Sequence, residues 1–392
     1  MLARMLCLGV MLITAPAFEL PRVDANRPAR VWSAVPFFRN SADIANPARP
    51  LWPGAGFTEE DRARAIYRGL KFIYRTARSP RNFARHGYDY LWCFDTTAKA
   101  VKDATARRMA LRMGAELAHR WRRGHPSLPR NADANTVYVF ASADEAANGL
   151  GVPDDKIKEK IKRAAARLTA RDFLDFDPVT EPPPSDIPED CARCGSENPR
   201  GSRVCSVCKA RLKMRSRYDV WCGALITTWS GDHYGVKFGA CYADVLKWLP
   251  SMRPYRGREG GANPEFFDTV YAVTHVVYTL NDYSVYKLSP TWLPQEFEFL
   301  KAGVKEAIAT KDSDMLGEFM DSLKSFGLTD DDPLMRIGTK YLMSHQNPDG
   351  SWGRIRLRYP PTGTAIDGLS EYAWRGEGLS FPEVKRLLVT ER

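Results

Sequence analysis

Cys191-Ala192-Arg193-Cys194 and Cys205-Ser206-Val207-Cys208 are two Cys-x-x-Cys knuckles separated by ten residues, and no other feature of the 392-residue chain restricts its folding so tightly. Each knuckle turns two sulfurs toward one point. Two knuckles then close a tetrahedral shell around Zn(II) at about 2.3 Å, with no position left for a substrate. Cys191, Cys194, Cys205 and Cys208 are therefore expected to hold a structural zinc ion. So short a segment has too little core to fold alone, and metal binding is expected to supply its folding free energy. In an oxidising compartment the four sulfurs have a different outcome open to them, pairing as two disulfides.

The rest of the chain reads as helix. With 44% hydrophobic and 27% charged residues it can bury a large core, which excludes a wholly disordered protein. Thr58 followed by Asp61 forms a capping-box pattern, and Ile66, Leu70, Ile73 and Tyr74 continue it as an apolar stripe to Ala77. A second helix is expected after Asp89, and further helices over 104–123, 154–169, 294–309, 314–326 and 333–344. Asp332 before Pro333 reads as an N-cap followed by a first-turn proline, and no run alternates as a strand does. Tyr88-Asp89, Tyr218-Asp219 and Phe267-Asp268 each precede an apolar run, which reads as Asp capping a helix beside an aromatic staple. These boundaries give short antiparallel hairpins over 57–180 and 214–392. Between them lie a proline-stiffened linker, 181–190, and the cysteine module, 191–213.

Two resemblances refine this outline. Cys191-x-x-Cys194-Gly195 through Asn198-Pro199-x-Gly201, Cys205-x-x-Cys208 and Leu212 resembles the zinc ribbons of the double-zinc-ribbon type, with Lys209 where a glycine is usual after the last cysteine. That resemblance implies a structural metal and no activity. Gln346-Asn347-Pro348-Asp349-Gly350-Ser351-Trp352, after Gly338-x-x-Tyr341-Leu342, resembles the Gln-Trp motif of the terpenoid cyclase and protein prenyltransferase superfamily. It implies a mainly α fold, an α/α toroid of antiparallel helical hairpins. The superfamily's chemistry is not implied, because neither Asp-x-Asp-Asp nor Asp-Asp-x-x-Asp occurs, and Asp330-Asp331-Asp332 runs into Pro333 as a helix start. The zinc-ligand patterns of lanthionine cyclases and prenyltransferases are also missing around Trp221-Cys222-Gly223.

The candidate site is the face of a helix from Asp268 to about Asp282. At about 100° per residue, Asp268, Tyr271, His275, Tyr278 and Asp282 share an arc of roughly 80°. The opposite face carries Val270, Val273, Val276, Val277 and Leu280. Burying that apolar face is expected to aim the polar one into a central cavity. His275, flanked by Tyr271 and Tyr278, is the candidate proton-transfer group, because histidine titrates near neutral pH. Asp268 and Asp282 are candidate ligand contacts; Asp268 and His275, seven residues apart, lie about 10 Å from each other along the helix and cannot share a metal without ligands from elsewhere. His233 reads as a loop-capping residue, and Cys93 and Cys222 as small core residues.

Three functions remain open at this level. One is binding of a small molecule or glycan in the cavity. A second is Tyr/His proton transfer, for example a lyase acting on an acidic polysaccharide. The third is a scaffold that recruits a protein partner through the basic cysteine module. The chain carries 57 Lys and Arg against 47 Asp and Glu, and residues 191–217 hold eight of those bases against Glu197 alone. Nucleic acid is not an expected partner, since single-strand readers set aromatic platforms beside their charges and 191–217 has none. Arg4, the apolar run Met5 to Ile13 and Ala15-Pro16-Ala17 make a signal-peptide pattern over 1–17, followed by an extended arm over 18–56. That pattern points to secretion, whereas zinc-bound thiolates point to a reducing cytoplasm. No stretch approaches the roughly 20 apolar residues of a membrane-spanning helix.

Overall fold

The computed structural model describes residues 56–354 and 358–388. The signal-peptide pattern, and the extended arm up to residue 55, lie outside them. Among the described residues the secondary structure is helical, with only isolated bridges between extended segments, and no helix is long and apolar enough to cross a membrane.

Helix α1, Glu59–Arg78, starts as the capping box requires: Thr58 accepts from the Asp61 N–H, and Asp61 accepts from the Thr58 N–H. Helix α2, Pro80–Ala100, is capped by Ser79 and bends at His86, where φ is −129°. Asp89 therefore sits inside a helix, and its reading as an N-cap fails because Ser79 already caps the segment. At the next of these aromatic-Asp pairs Ser216 is the cap, accepting from the Asp219 N–H. Helices α3 (Ala104–Gly124), α4 (Ala134–Gly149), α5 (Asp155–Ala165) and α6 (Ala170–Leu174) precede the cysteine module. After it come α7 (Arg217–Tyr234), α8 (Tyr242–Leu246), α9 (Leu249–Met252), α10 (Phe266–Leu280), α11 (Pro294–Thr310), α12 (Ser313–Ser325), α13 (Pro333–Ser344), α14 (Tyr359–Leu369) and α15 (Lys385–Leu388).

Packing follows a regular order. Helices α2, α4, α7, α10, α12 and α14 each touch the next in that series, while α3, α5, α11 and α13 cover members of it. Helix α1 packs on α14, bringing the first and last long hairpins together. The Gln346–Trp352 loop makes this join. Gln346 Nε2 donates to the Ala65 carbonyl of α1 at 2.8 Å and to Gly350 at 3.1 Å. Trp352, fully buried, donates its indole N–H to the Leu342 carbonyl at 2.7 Å, satisfying an acceptor in the last turn of α13. Gly350 is in the left-handed region, and a Cβ there would meet the Arg68 carbonyl oxygen of α1 at 2.6 Å.

Most of the core is one cluster, but Cys191, Cys205 and Leu212 form a separate small one with Cys194, Cys208 and Ala210 packed around it. The module is fastened at its base rather than tethered loosely. Buried Arg215 bridges Asp175 and Asp219, Arg200 bridges Glu181 and Asp186, and the Arg215 N–H donates to the Ile187 carbonyl.

Candidate functional site

The four cysteine sulfurs all lie within 4.8 Å of one another and can hold a metal ion. Cys191 and Cys208 Sγ are 3.4 Å apart, and Cys194 and Cys205 Sγ 3.6 Å. A tetrahedron with 2.3 Å metal–sulfur bonds has edges of about 3.8 Å, whereas a disulfide needs about 2.05 Å. All four cysteines are unbonded thiols here. The chain reverses in the left-handed region after each knuckle, at Gly195 (φ 71°) and at Lys209 (φ 60°). Lys209 thus adopts the turn that a glycine would favour. The backbone N–H groups of Cys208 and Val207, the former the larger influence, lower the Cys205 thiol, whereas the Cys208 thiol beside it is raised, so the first proton leaves this cluster from Cys205.

The second site is a cavity of about 290 Å³ into which all six helices of the packing series project side chains. Burial of Val270, Val273, Val276, Val277 and Leu280 turns the other face of α10 inward, so Tyr271, His275 and Tyr278 all line it. Asp268 and Asp282 are not among the lining residues. Asp268 is buried in the first turn of α10. Helix α10 ends at Leu280, and Asp282, Tyr283 and Ser284 form a left-handed turn with φ of 57°, 48° and 69°. Asp282 leaves the helical arc there and pairs with His233 Nε2 at 3.3 Å. The turn is held by Asn281, which accepts from the Ser284 N–H at 2.9 Å and donates to Ser325 Oγ at 2.6 Å. Its left-handed residues cost about 1–2 kcal/mol each, and Tyr283 and Ser284 line the cavity.

The acids in the cavity wall were not picked out from the sequence. Asp314, Glu318 and Asp321 project from α12, Asp367 from α14 and Asp89 from α2. Tyr271 and Thr364 hydroxyls donate to the two oxygens of Asp314 at 2.8 and 2.9 Å. Tyr359 donates to Asp89 at 2.7 Å, and Ser284 to Asp321 at 3.2 Å. Among the described residues no Lys or Arg lines the cavity. Burial, reinforced by the charge of Asp314, pushes Glu318 well above the usual carboxylate range, and burial with Asp321 nearby does the same to Asp367. Burial raises Asp89 to about 6. At neutral pH the cavity therefore presents neutral acids that donate hydrogen bonds beside carboxylates that accept them.

His275 differs from its expected behaviour. Its Nδ1 lies 2.8 Å from the Tyr271 carbonyl, which can only accept, so Nδ1 carries the proton and Nε2 the lone pair. Burial lowers its pKa to about 4, which makes it a neutral, weak base at pH 7 rather than a group titrating there. His233 also changes role. It lies in the last turn of α7, stacked on Trp229 and paired with Glu145 and Asp282, so it is an ion-pair member and not a loop cap. Cys93 and Cys222 line the cavity, and burial raises both thiols, keeping them protonated.

The stripe Asp314, Glu318, Asp321 was readable as i, i+4, i+7 on one helix face, and the signal was ambiguous because such a stripe normally faces water. Gly317, Ser322 and Ser325 interleaved with it were the clue, since small residues suit close helix contact. Comparison with known proteins gives no match among family models, curated proteins or solved structures.

Proposed function

We propose that the chain is an α/α toroid with an inserted structural zinc ribbon, and that its central cavity binds a small molecule that is not an anion. The inner ring is α2, α4, α7, α10, α12 and α14, closed by the Gln346–Trp352 loop against α1. The observation that carries the reading is the cavity wall itself: side chains from all six of those helices meet around one space, with five carboxyl groups and, among the described residues, no Lys or Arg. Tyr271, His275 and Tyr278 orient the ligand from α10, and Asp314, Glu318, Asp321, Asp367 and Asp89 provide its polar contacts.

The same wall argues against a lyase acting on an acidic polysaccharide, because an anionic substrate would have to enter beside ionised and ionisable carboxyl groups. Recruitment of a partner by the basic module loses part of its basis too, since Arg200, Lys213 and Arg215 are spent on ion pairs with the chain's own acids.

Gly363 gives the test. It lines the cavity on α14, and a Cβ built on it meets nothing within 4 Å. Gly363→Leu is therefore expected to fill the space without disturbing the helix. Thermal-shift screening of a metabolite library against the wild type should yield binders that Gly363→Leu no longer binds, with the unliganded melting temperature unchanged or higher. Binders unaffected by the substitution would place the site elsewhere.

A further inference from the structure

His233 stands behind the cavity wall, with a carboxyl group at each ring nitrogen. Its Nδ1 faces Glu145 of α4, and its Nε2 faces Asp282 at 3.3 Å. A carboxylate can only accept and a neutral imidazole carries one N–H, so both contacts are made together only by the imidazolium. Resting on the cavity as the ligand site, we propose that His233 is a proton-operated latch on the turn formed by Asp282, Tyr283 and Ser284. Charged, it ties that turn to α4 and keeps Tyr283 in the cavity wall; neutral, it frees the turn and opens the cavity on that side.

The turn is built to move when released. Asp282, Tyr283 and Ser284 are three consecutive left-handed residues, none of them glycine, and such a run persists only where its surroundings hold it. The Tyr283 N–H donates to the Tyr278 carbonyl, and those of Val285 and Tyr286 donate to the Asn281 carbonyl. Ser284 donates to Asp321, and Asp282 is held by His233. The Tyr283 ring packs on Trp229 and Trp92 with centroids 4.7 and 5.3 Å away. His233 itself stacks on Trp229 at 4.8 Å, so the latch and the tyrosine it retains share one indole.

Among the described residues, the charged groups that act on the His233–Asp282 pair are Lys99 of α2, Glu145 of α4 and Arg375 near the C-terminus, and His233 acts in turn on Asp95 of α2. Asp144, next along α4, is bound by Arg122 and Tyr234, Lys158 of α5 lies over the Tyr234 ring, and Asp232 accepts from the Tyr242 N–H. His233 also sits in the last turn of α7, where the helix dipole favours a cation. The hydrogen bond with Glu145, aided by its charge and that of Asp282, outweighs burial and raises His233 above its ordinary 6.5. The latch is therefore fully charged below about pH 6.5 and is lost as pH rises through the raised value. Burial raises Asp282 from 3.8, which limits the latch on the acid side. The two side chains are 27% and 19% exposed, so protons reach both from solvent.

The test uses the full chain without added ligand, so failure of the latch and failure of the cavity as a ligand site are told apart. Amide hydrogen exchange over 281–286, corrected for the chemical rate, is expected to quicken about tenfold in the wild type between pH 6.5 and 9. His233→Gln and Asp282→Asn each remove one member of the pair. Both are expected to exchange there about tenfold faster than the wild type at pH 6.5 and to lose the pH dependence, with exchange in α12 unchanged. Cys93, which lines the cavity next to Trp92, reports the opening. Its alkylation by uncharged iodoacetamide at pH 6.5, read by peptide mass spectrometry, is expected to be about tenfold faster in both variants. Wild-type exchange that does not change with pH, or variants that exchange like the wild type, would overturn the latch. Faster exchange with unchanged Cys93 alkylation would overturn its control of the cavity. The wild-type pH profiles of exchange and alkylation decide the matter if neither variant folds.

Discussion

The same substitution, glycine to alanine, is expected to have opposite signs at two positions one contact apart. Helices α12 and α14 make the most extensive helix pairing in the molecule, and Gly317 and Gly368 sit at their crossing. A Cβ at Gly317 would lie 2.4 Å from the Thr364 carbonyl oxygen and 2.5 Å from its carbon, where ordinary contact begins at 3.4 Å. The obstruction is backbone of the partner helix, so relief requires about 1 Å of helix separation rather than a rotamer change. Overpacking of this kind costs about 1–3 kcal/mol, and better helix propensity returns at most about 1 kcal/mol. Gly317→Ala is expected to lose about 2 kcal/mol, or roughly 4 °C of melting temperature. At Gly363, on α14 with nothing within 4 Å, alanine keeps the propensity gain alone and is expected to add up to about 1 kcal/mol. Calorimetry or urea unfolding of the two variants beside the wild type measures both. A neutral Gly317→Ala, or a destabilising Gly363→Ala, would refute the close crossing or the open wall respectively.

The metal module yields two predictions. Purified protein should contain about one zinc per chain, and Cys205→Ser should abolish it and expose 191–213 to protease while the helical circular dichroism persists, because the module's small core is separate from the main one. Lys209→Gly should relieve a left-handed lysine worth about 1 kcal/mol, seen as roughly fivefold tighter zinc binding in competition with a chelator. A last prediction concerns pH. Asp89, raised by burial to about 6 from 3.8, holds its proton more tightly when folded, so its contribution to stability falls as pH rises from about 4 to 6. His275, lowered to about 4 from 6.5, acts in the opposite sense over about pH 4 to 6.5. The wild-type profile therefore partly cancels, and the difference between Asp89→Asn and wild type should grow in the variant's favour from pH 4 to 6, to about 2 kcal/mol. A constant difference in urea midpoints across that range would show that the carboxyl is not perturbed.

What the sequence determined by itself was local. The knuckle spacing placed four sulfurs together, Thr58 and Asp61 capped the first helix, and amphipathic helices such as α11 and α13 could be placed to within a residue or two, since one apolar face repeats at helical period. The Gln346–Trp352 string implied helical hairpins by its resemblance, though not that its partner is the Ala65 carbonyl of α1. Helix α4 escaped because it is buried on nearly every side, which erases the period that marks a surface helix. Asp89 was read as a cap because aromatic-Asp pairs do begin helices, and only the bend at His86 and the prior cap at Ser79 reveal otherwise. Whether Asp314, Glu318 and Asp321 met water or a cavity shared with Asp367 and Asp89 depended on α14 lying against α12 through Gly317 and Gly368. That contact joins residues some fifty positions apart, and no local pattern encodes it. The acids' proton affinities follow from the same packing, because burial and mutual repulsion are properties of the assembled wall and not of any one helix.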